Sequence, residues 1–252
     1  MFDIKEWRKL QNDITTDSLW ISNTSTNNRP LFIIPRREWD IKNDKTFHGL
    51  FIPEIPYQFI IRFTKTKEDT IWDPFYGSGT TQKVAKYLGY NNGIYSDLNP
   101  IDNCCLKKDI LDYKNDKSIE AQLAFCHPPY HNIVKYSEDS RDGSNKDTID
   151  SFLNWLEDVS QVYFKHIKPN GFLILVLGNI YQNGEEKTLG VWGKDRFCKN
   201  DKFICKAHII KDYGETKGTE GKNYNLNYVR QLRSGYNNFY GDNIFVLKRK
   251  NK

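Results

Sequence analysis

The stretch Ile71-Trp-Asp-Pro-Phe-Tyr-Gly-Ser-Gly-Thr-Thr81 decides how this chain folds. Ile71 and Trp72 lead out of an apolar strand into a glycine-bearing turn. Gly77 and Gly79 permit backbone conformations, and a close ligand approach, that a Cβ would obstruct. The residues that follow open a helix, Thr80 to Leu88, which Gly89 stops from the C′ position. A strand, a glycine turn and a helix in that order make a nucleotide-cofactor cradle of Rossmann type. The turn lacks the full GxGxxG pattern and the Lys of a phosphate-binding loop, which fits a cofactor without phosphates. A second strand, Gly93 to Ser96, ends at Asp97. That is about twenty residues past the glycines, where such folds place the acid that accepts ribose hydroxyls.

The other informative run is His127-Pro128-Pro129-Tyr130. Leu123 to Cys126 reads as a buried strand, and two prolines cannot continue a central ladder, so the chain leaves the sheet here. Pro129 also pushes Pro128 toward extended geometry. Carbonyls without a partner strand are then aimed into whatever lies above the sheet.

Together, DPFYGSGTT (Asp73 to Thr81) and HPPY resemble the signature of the S-adenosylmethionine-dependent amino-methyltransferases that modify DNA bases at adenine N6 or cytosine N4. The resemblance covers roughly Phe47 to Lys250. It implies S-adenosylmethionine as cofactor, held by Asp73, Phe75, Gly77, Gly79 and Thr80 of the loop, by Asp97, and by Asp109 in KKDILD, where the family holds the adenine amine. The segment FHGLFIPEIPYQFIIRFT, Phe47 to Thr64, is similar to the one that closes over the cofactor's methionine end. A helix there, with Phe59, Ile60 and Phe63 inward, follows Pro53 and Pro56. His48 is either a further cofactor contact or a buried, satisfied histidine.

In the resembled family the tetrad opens with Asp, Asn or Ser. That side chain and the next proline carbonyl accept hydrogen bonds from the target amine, and the Tyr stacks on the base after it is flipped out. Here His127 stands first. A neutral imidazole still offers one acceptor nitrogen, so His127, Pro128, Pro129 and Tyr130 are the expected catalytic residues. The implied reaction is direct methyl transfer to an exocyclic amine of double-stranded DNA, with adenine N6 set slightly ahead of cytosine N4 on family base rates. An RNA-base methyltransferase, or a catalytically silent cofactor- or DNA-binding subunit, are the alternatives. The resemblance also implies a cytoplasmic, bacterial or phage-encoded modification system, partnered by a cognate restriction endonuclease or a second copy of the chain, with no metal. The expected fold is α/β, a Rossmann-like doubly wound and mostly parallel sheet with an antiparallel C-terminal strand, as in class I methyltransferases.

A chain of 252 residues can bury one substantial core. The expected division is an N-terminal extension, 1–45, packed on a catalytic domain, 46–252. The net charge of +5 is compatible with a phosphate-tracking face and equally with a solvated surface. The 5 cysteines show no CxxC pair and read as reduced, mostly buried thiols, Cys126 among them as core packing. No apolar stretch approaches bilayer length, and the charged opening MFDIKEWRKL is no signal peptide.

The extension interleaves Trp7, Trp20 and Trp39 with Arg8, Arg29, Arg36 and Arg37, a pattern that serves nucleic acid or packs its rings on the domain. After the tetrad, Ser137 to Asp147 reads as a mobile polar loop. Phe152, Leu156, Val159 and Tyr163 mark a helical stripe that KPNG, with Pro169 and Gly171, should stop before a strand from Phe172 to Leu177. A helix around Trp192 to Phe197, a strand from Phe203 to Ile210 and a last strand from Asn243 to Lys248 follow. Segments 135–150 and 212–240 are the candidate target-recognition loops. The second carries Lys217, Lys222, Arg230 and Arg233 among Tyr224, Tyr228 and Tyr236, while Glu215 and Glu220 leave a mixed-charge solvated loop open.

Overall fold

The structure, a computed structural model, describes residues 19–20, 52–212, 235 and 241–251. Most of the N-terminal extension, His48 and nearly all of 212–240 lie outside the described residues. The strands are β1 (Leu19–Trp20), β2 (Ile71–Asp73), β3 (Gly93–Asp97), β4 (Leu106–Lys107), β5 (Ala121–Cys126), β6 (Ile167–Leu177), β7 (Ile180–Gln182), β8 (Glu185–Lys187), β9 (Phe203–Asp212) and β10 (Gly241–Arg249). All but β7 and β8 join one sheet, in the order β1-β9-β10-β6-β5-β2-β3-β4. Its neighbours pair in parallel except around β10, which runs antiparallel to both β6 and β9. This is the doubly wound α/β sheet expected, with β10 as its single reversed strand.

Period-2 alternation assigns each strand's residues to two separate cores. Leu123 and Phe125 of β5, Ile174 and Val176 of β6, and Ile244 and Val246 of β10 face one way. There they meet Phe59 and Ile60 of α1 (Glu54–Phe63) and Val84 and Ala85 of α2 (Thr80–Tyr87). Ala124 and Cys126, Leu173 and Leu175, and Phe245 and Leu247 face the other way. That side is covered by Phe152, Leu156, Val159 and Tyr163 of α3 (Ile149–His166) and by Phe197 of α4 (Leu189–Cys198). Every residue of β5 is buried, as a strand covered on both faces requires. Each of these large side chains contributes on the order of 1.5–3 kcal/mol by leaving water. Cys126 is core, as expected, and burial pushes its thiol pKa up.

Local chemistry sets the helix ends. After α2, the N–H of Gly89 bonds to the Lys86 carbonyl and that of Tyr90 to the Ala85 carbonyl, a Schellman closure that needs the positive φ of 77° at Gly89. A capping box starts α3: Thr148 Oγ1 accepts from the Ser151 N–H, and the Thr148 N–H bonds to Ser151 Oγ, each at 3.1 Å.

KPNG does not separate helix from strand as the stop signals suggest. α3 ends at His166 and β6 begins at once at Ile167. The pairing with β5 jumps from Ala121↔Ile167 to Leu123↔Phe172, so Lys168 to Gly171 bulge out of the ladder. Asn170, at φ 64°, makes the bend. Gly171 is needed because a Cβ would stand 3.0 Å from the Gln122 carbonyl. Sequence reading also misses the hairpin β7–β8, although Asn183-Gly184, with φ of 54° and 80°, is the dipeptide that two-residue hairpins favour. No helix among the described residues is long and apolar enough to cross a membrane.

Candidate active site

Strands β2 and β5 lie side by side at the centre of the sheet, and from there the order runs outward to β3 on one side and β6 on the other. Ligands of open α/β sheets bind at the carboxyl ends of strands about such a switch point. A cavity of about 540 Å³ opens there, within the range of ligand pockets. Its wall includes Phe75, Gly77, Asp97, Asp109 and the whole tetrad His127 to Tyr130. Two motifs about fifty residues apart in sequence therefore share one space.

The glycine turn is held by β3. Tyr76 N–H bonds to the Ser96 carbonyl at 3.0 Å, and Gly77 N–H donates to Asp97 Oδ2 at 2.9 Å. Asp97 Oδ1 also accepts from the Asn99 N–H at 2.9 Å. Burial raises the Asp97 pKa, against the lowering effect of these two bonds. Gly79 takes φ 79° at the N-cap of α2, and a Cβ there would stand 2.4 Å from the Tyr76 hydroxyl. Asp109 is buried, caps the short turn Ile110–Asn115 and accepts from the Leu111 N–H at 2.8 Å. Burial raises its pKa as well.

Three residues expected at the cofactor are not among those lining the cavity. Gly79 and Thr80 shape the start of α2 and do not line the cavity. Asp73 is buried inside the turn, where Oδ1 accepts from the Phe75 N–H at 3.0 Å and the carboxylate meets the Thr81 hydroxyl. A carboxylate that spans its own loop in this way fixes the loop's shape. Burial lifts its pKa to about 6, aided by the charge of Asp97. An acid whose pKa is higher folded than unfolded costs stability as pH rises from its unfolded pKa to its folded one. Asp73→Asn keeps an acceptor for Phe75 without that cost. Relative to wild type it should gain up to ~3 kcal/mol in urea unfolding between pH 4 and pH 7, from a shift of about two units. Parallel pH profiles for the two proteins would show that Asp73 carries no such penalty.

The tetrad leaves β5 as the prolines require. Pro128 is buried, while His127 and Tyr130 are partly buried. His127 Nε2 lies 3.1 Å from the Tyr130 hydroxyl, which donates to Asp242 Oδ1 at 2.9 Å. The ring sits in a crevice poor enough in water to press its pKa down to about 4, with Asp242 raising it and Lys211 lowering it as smaller effects. The chain then turns at His131, φ 54°, whose buried ring packs edge-on against Phe152.

The segment expected to be a mobile loop is a folded cap. Asp142 accepts from the Ser144 N–H at 2.8 Å and from the Ser137 hydroxyl at 2.7 Å, and Asn145 Nδ2 donates to the carbonyls of Ser137 and Asp139, each at 2.8 Å. Asn99 Nδ2 ties it to the end of β3 through the Tyr136 carbonyl at 3.2 Å, and Arg141 reaches Asp112 at 3.5 Å. Lys135, Tyr136, Arg141, Asp142 and Gly143 line the cavity from this cap, with Trp155 behind them. Of these cap residues, sequence reading names only the segment they lie in, and it misses Trp155 and Asp242 altogether.

An otherwise parallel sheet with β10 reversed next to β6 is the fold of class I methyltransferases, as expected. Residues 4–101 match the family described as DNA methylase, N6_N4_Mtase. The matched segment holds the glycine turn and Asp97 and ends before the tetrad. Over 96 residues the chain is 36% identical to the Type II methyltransferase M.BsoBI of Geobacillus stearothermophilus, covering 37% of this chain and 19% of that protein. The chain thus spans about a fifth of the length of that curated relative. TrmN from Thermus thermophilus superposes with a TM-score of 0.50 at 14% identity, over 80% of this chain and 50% of that one, a likeness of fold alone.

Proposed function

We propose that this chain methylates an exocyclic base amine in double-stranded DNA, at adenine N6 ahead of cytosine N4 on family base rates, with the base flipped into the cavity. The observation that carries this reading is that the acceptors of the tetrad and the carboxylates of Asp97 and Asp109 line one cavity. The cofactor fits this set of acceptors. Asp97 presents acceptors suited to ribose hydroxyls, Asp109 one suited to an adenine amine, and Gly77 lets the backbone come close. S-adenosylmethionine, when bound, supplies an activated methyl group on sulfur.

The remaining work falls to the protein. His127 and the Pro128 carbonyl accept the amine's hydrogens, which turns the nitrogen lone pair toward the methyl donor. Tyr130 provides the stacking surface for the base. The cap 131–148 walls the cavity and limits water, and with 135–150 in this position it is proposed as one target-recognition element. Segment 212–240 is proposed as the other, and a cognate endonuclease as the functional partner of such a modification activity.

Incubating the protein with DNA and tritiated cofactor, then digesting to nucleosides, tests the reading. Label in N6-methyladenosine or N4-methylcytidine as deoxynucleosides supports it. Label that enters RNA and not DNA would replace it with RNA-base methylation, and no transfer to either would leave a silent cofactor-binding subunit. Neutralising Lys222 and Arg233 should flatten the plot of log affinity for DNA against log salt by roughly one unit for each phosphate that they neutralise. An unchanged slope would place the phosphate-binding groups outside 212–240.

A further inference from the structure

A histidine at the head of the tetrad brings a requirement that Asp, Asn or Ser would not. An oxygen acceptor works in any orientation of its lone pairs, whereas a neutral imidazole has one acceptor nitrogen and one donor, and the tautomer decides which is which. The fold contains a device that makes this choice. The Tyr130 hydroxyl has a single hydrogen, and it goes to Asp242 Oδ1, a carboxylate oxygen that can only accept. Tyr130 therefore receives the His127 hydrogen bond through its oxygen, which places the imidazole proton on Nε2 and the lone pair on Nδ1.

Asp242 reaches the tetrad from the start of β10, 112 residues beyond Tyr130. Gly178, just past β6, makes the approach possible. A Cβ there would stand 2.5 Å from Tyr130 Cε2 and 3.2 Å from Asp242 Oδ1. The phenol ring is thus seated over a bare backbone and tethered at its hydroxyl.

We propose that Asp242 is a positioning residue for base methylation: through Tyr130 it selects the Nε2–H tautomer of His127, so that Nδ1 is the nitrogen offered to the target amine, and it fixes the angle of the Tyr130 ring. The inference rests on the methylation reading above. Tyr130→Phe separates the two roles of the tyrosine, since it keeps the ring and removes the link between His127 and Asp242.

The test pairs nitrogen NMR of histidine-labelled protein at neutral pH, with the His127 signals assigned by their loss in His127→Asn, with single-turnover methylation. Wild type should show the Nε2–H tautomer. Asp242→Ala and Tyr130→Phe should each relax it to a mixture and slow methylation by roughly 10- to 100-fold, the range that follows loss of the partner orienting a metal-bound imidazole. The double variant should be no slower than the worse single one, because both cut the same link. Asp242→Asn keeps an acceptor oxygen and should retain the tautomer and most of the rate, and calorimetric cofactor binding identifies the folded variants. An unchanged tautomer in Asp242→Ala, or an unchanged methylation rate, would overturn the proposal. If wild type transferred methyl to no nucleic acid, the functional reading would fall, while the tautomer measurement would still decide whether Asp242 controls His127.

Discussion

His127→Ala is expected to slow single-turnover methylation by ~10²- to 10³-fold, the loss typical of removing one preorganised hydrogen-bonding group that acts on the reacting atoms. Cofactor affinity should be spared, because Asp97 and Asp109, the proposed cofactor contacts, sit on other elements. His127→Asn and His127→Asp should recover part of the rate by returning an oxygen acceptor. The pH profile separates this role from a structural one. Protonated imidazole has two donors and no acceptor, so activity must fall as pH drops through the His127 pKa. Burial holds that value near 4, well below the usual 6.5 or so. Wild type should therefore show no acid limb from this group between pH 5 and pH 8, and a limb near pH 6.5 that disappears in His127→Asn would contradict a partly buried, neutral ring. A full rate in His127→Ala would make the imidazole structural and leave the Pro128 carbonyl as the amine's acceptor.

What could be read from the sequence was whatever a steric rule dictates locally. Gly77 and Gly79 at positive φ, and prolines that cannot continue the ladder of β5, announce a turn and a strand exit whatever surrounds them. The alternating strands and the α3 stripe were legible for the same reason, since each declares its buried face through periodicity. Side chains bonded to their own backbone were harder. Asp73 has the position of a ligand contact, and that its carboxylate also bonds to Phe75 and Thr81 of its own loop is visible only in the direction of the side chain. The cap 131–148 has the Asp, Ser and Asn content of a solvated loop, and its order comes from those same side chains folding back on it. KPNG carries helix-stop chemistry that equally serves a bulge. Asp242 gave no local signal at all, because its role exists only once β10 is inserted between β6 and β9.

Asp97→Ala is expected to weaken S-adenosylmethionine binding by ~1.5–3 kcal/mol, the worth of charge-assisted hydrogen bonds, or roughly 10- to 150-fold in Kd. Each oxygen of this carboxylate already accepts one backbone N–H, Oδ2 from Gly77 and Oδ1 from Asn99. Carboxylate oxygens have further lone-pair sites, so the same group can hold the turn and receive ribose hydroxyls. Asp97→Asn should rescue little, because its amide nitrogen would face one of the two backbone N–H groups, donor against donor. The pH dependence carries the same signature. Burial raises the Asp97 pKa, so wild-type affinity should begin to weaken on acidification earlier than an ordinary aspartate would allow, and Asp97→Ala should lack that component. Calorimetric titration of the folded variants at two pH values measures both effects. Equal affinity for wild type and Asp97→Ala would remove the end of β3 from the cofactor site and leave Asp97 as a clamp on the Gly77 turn alone.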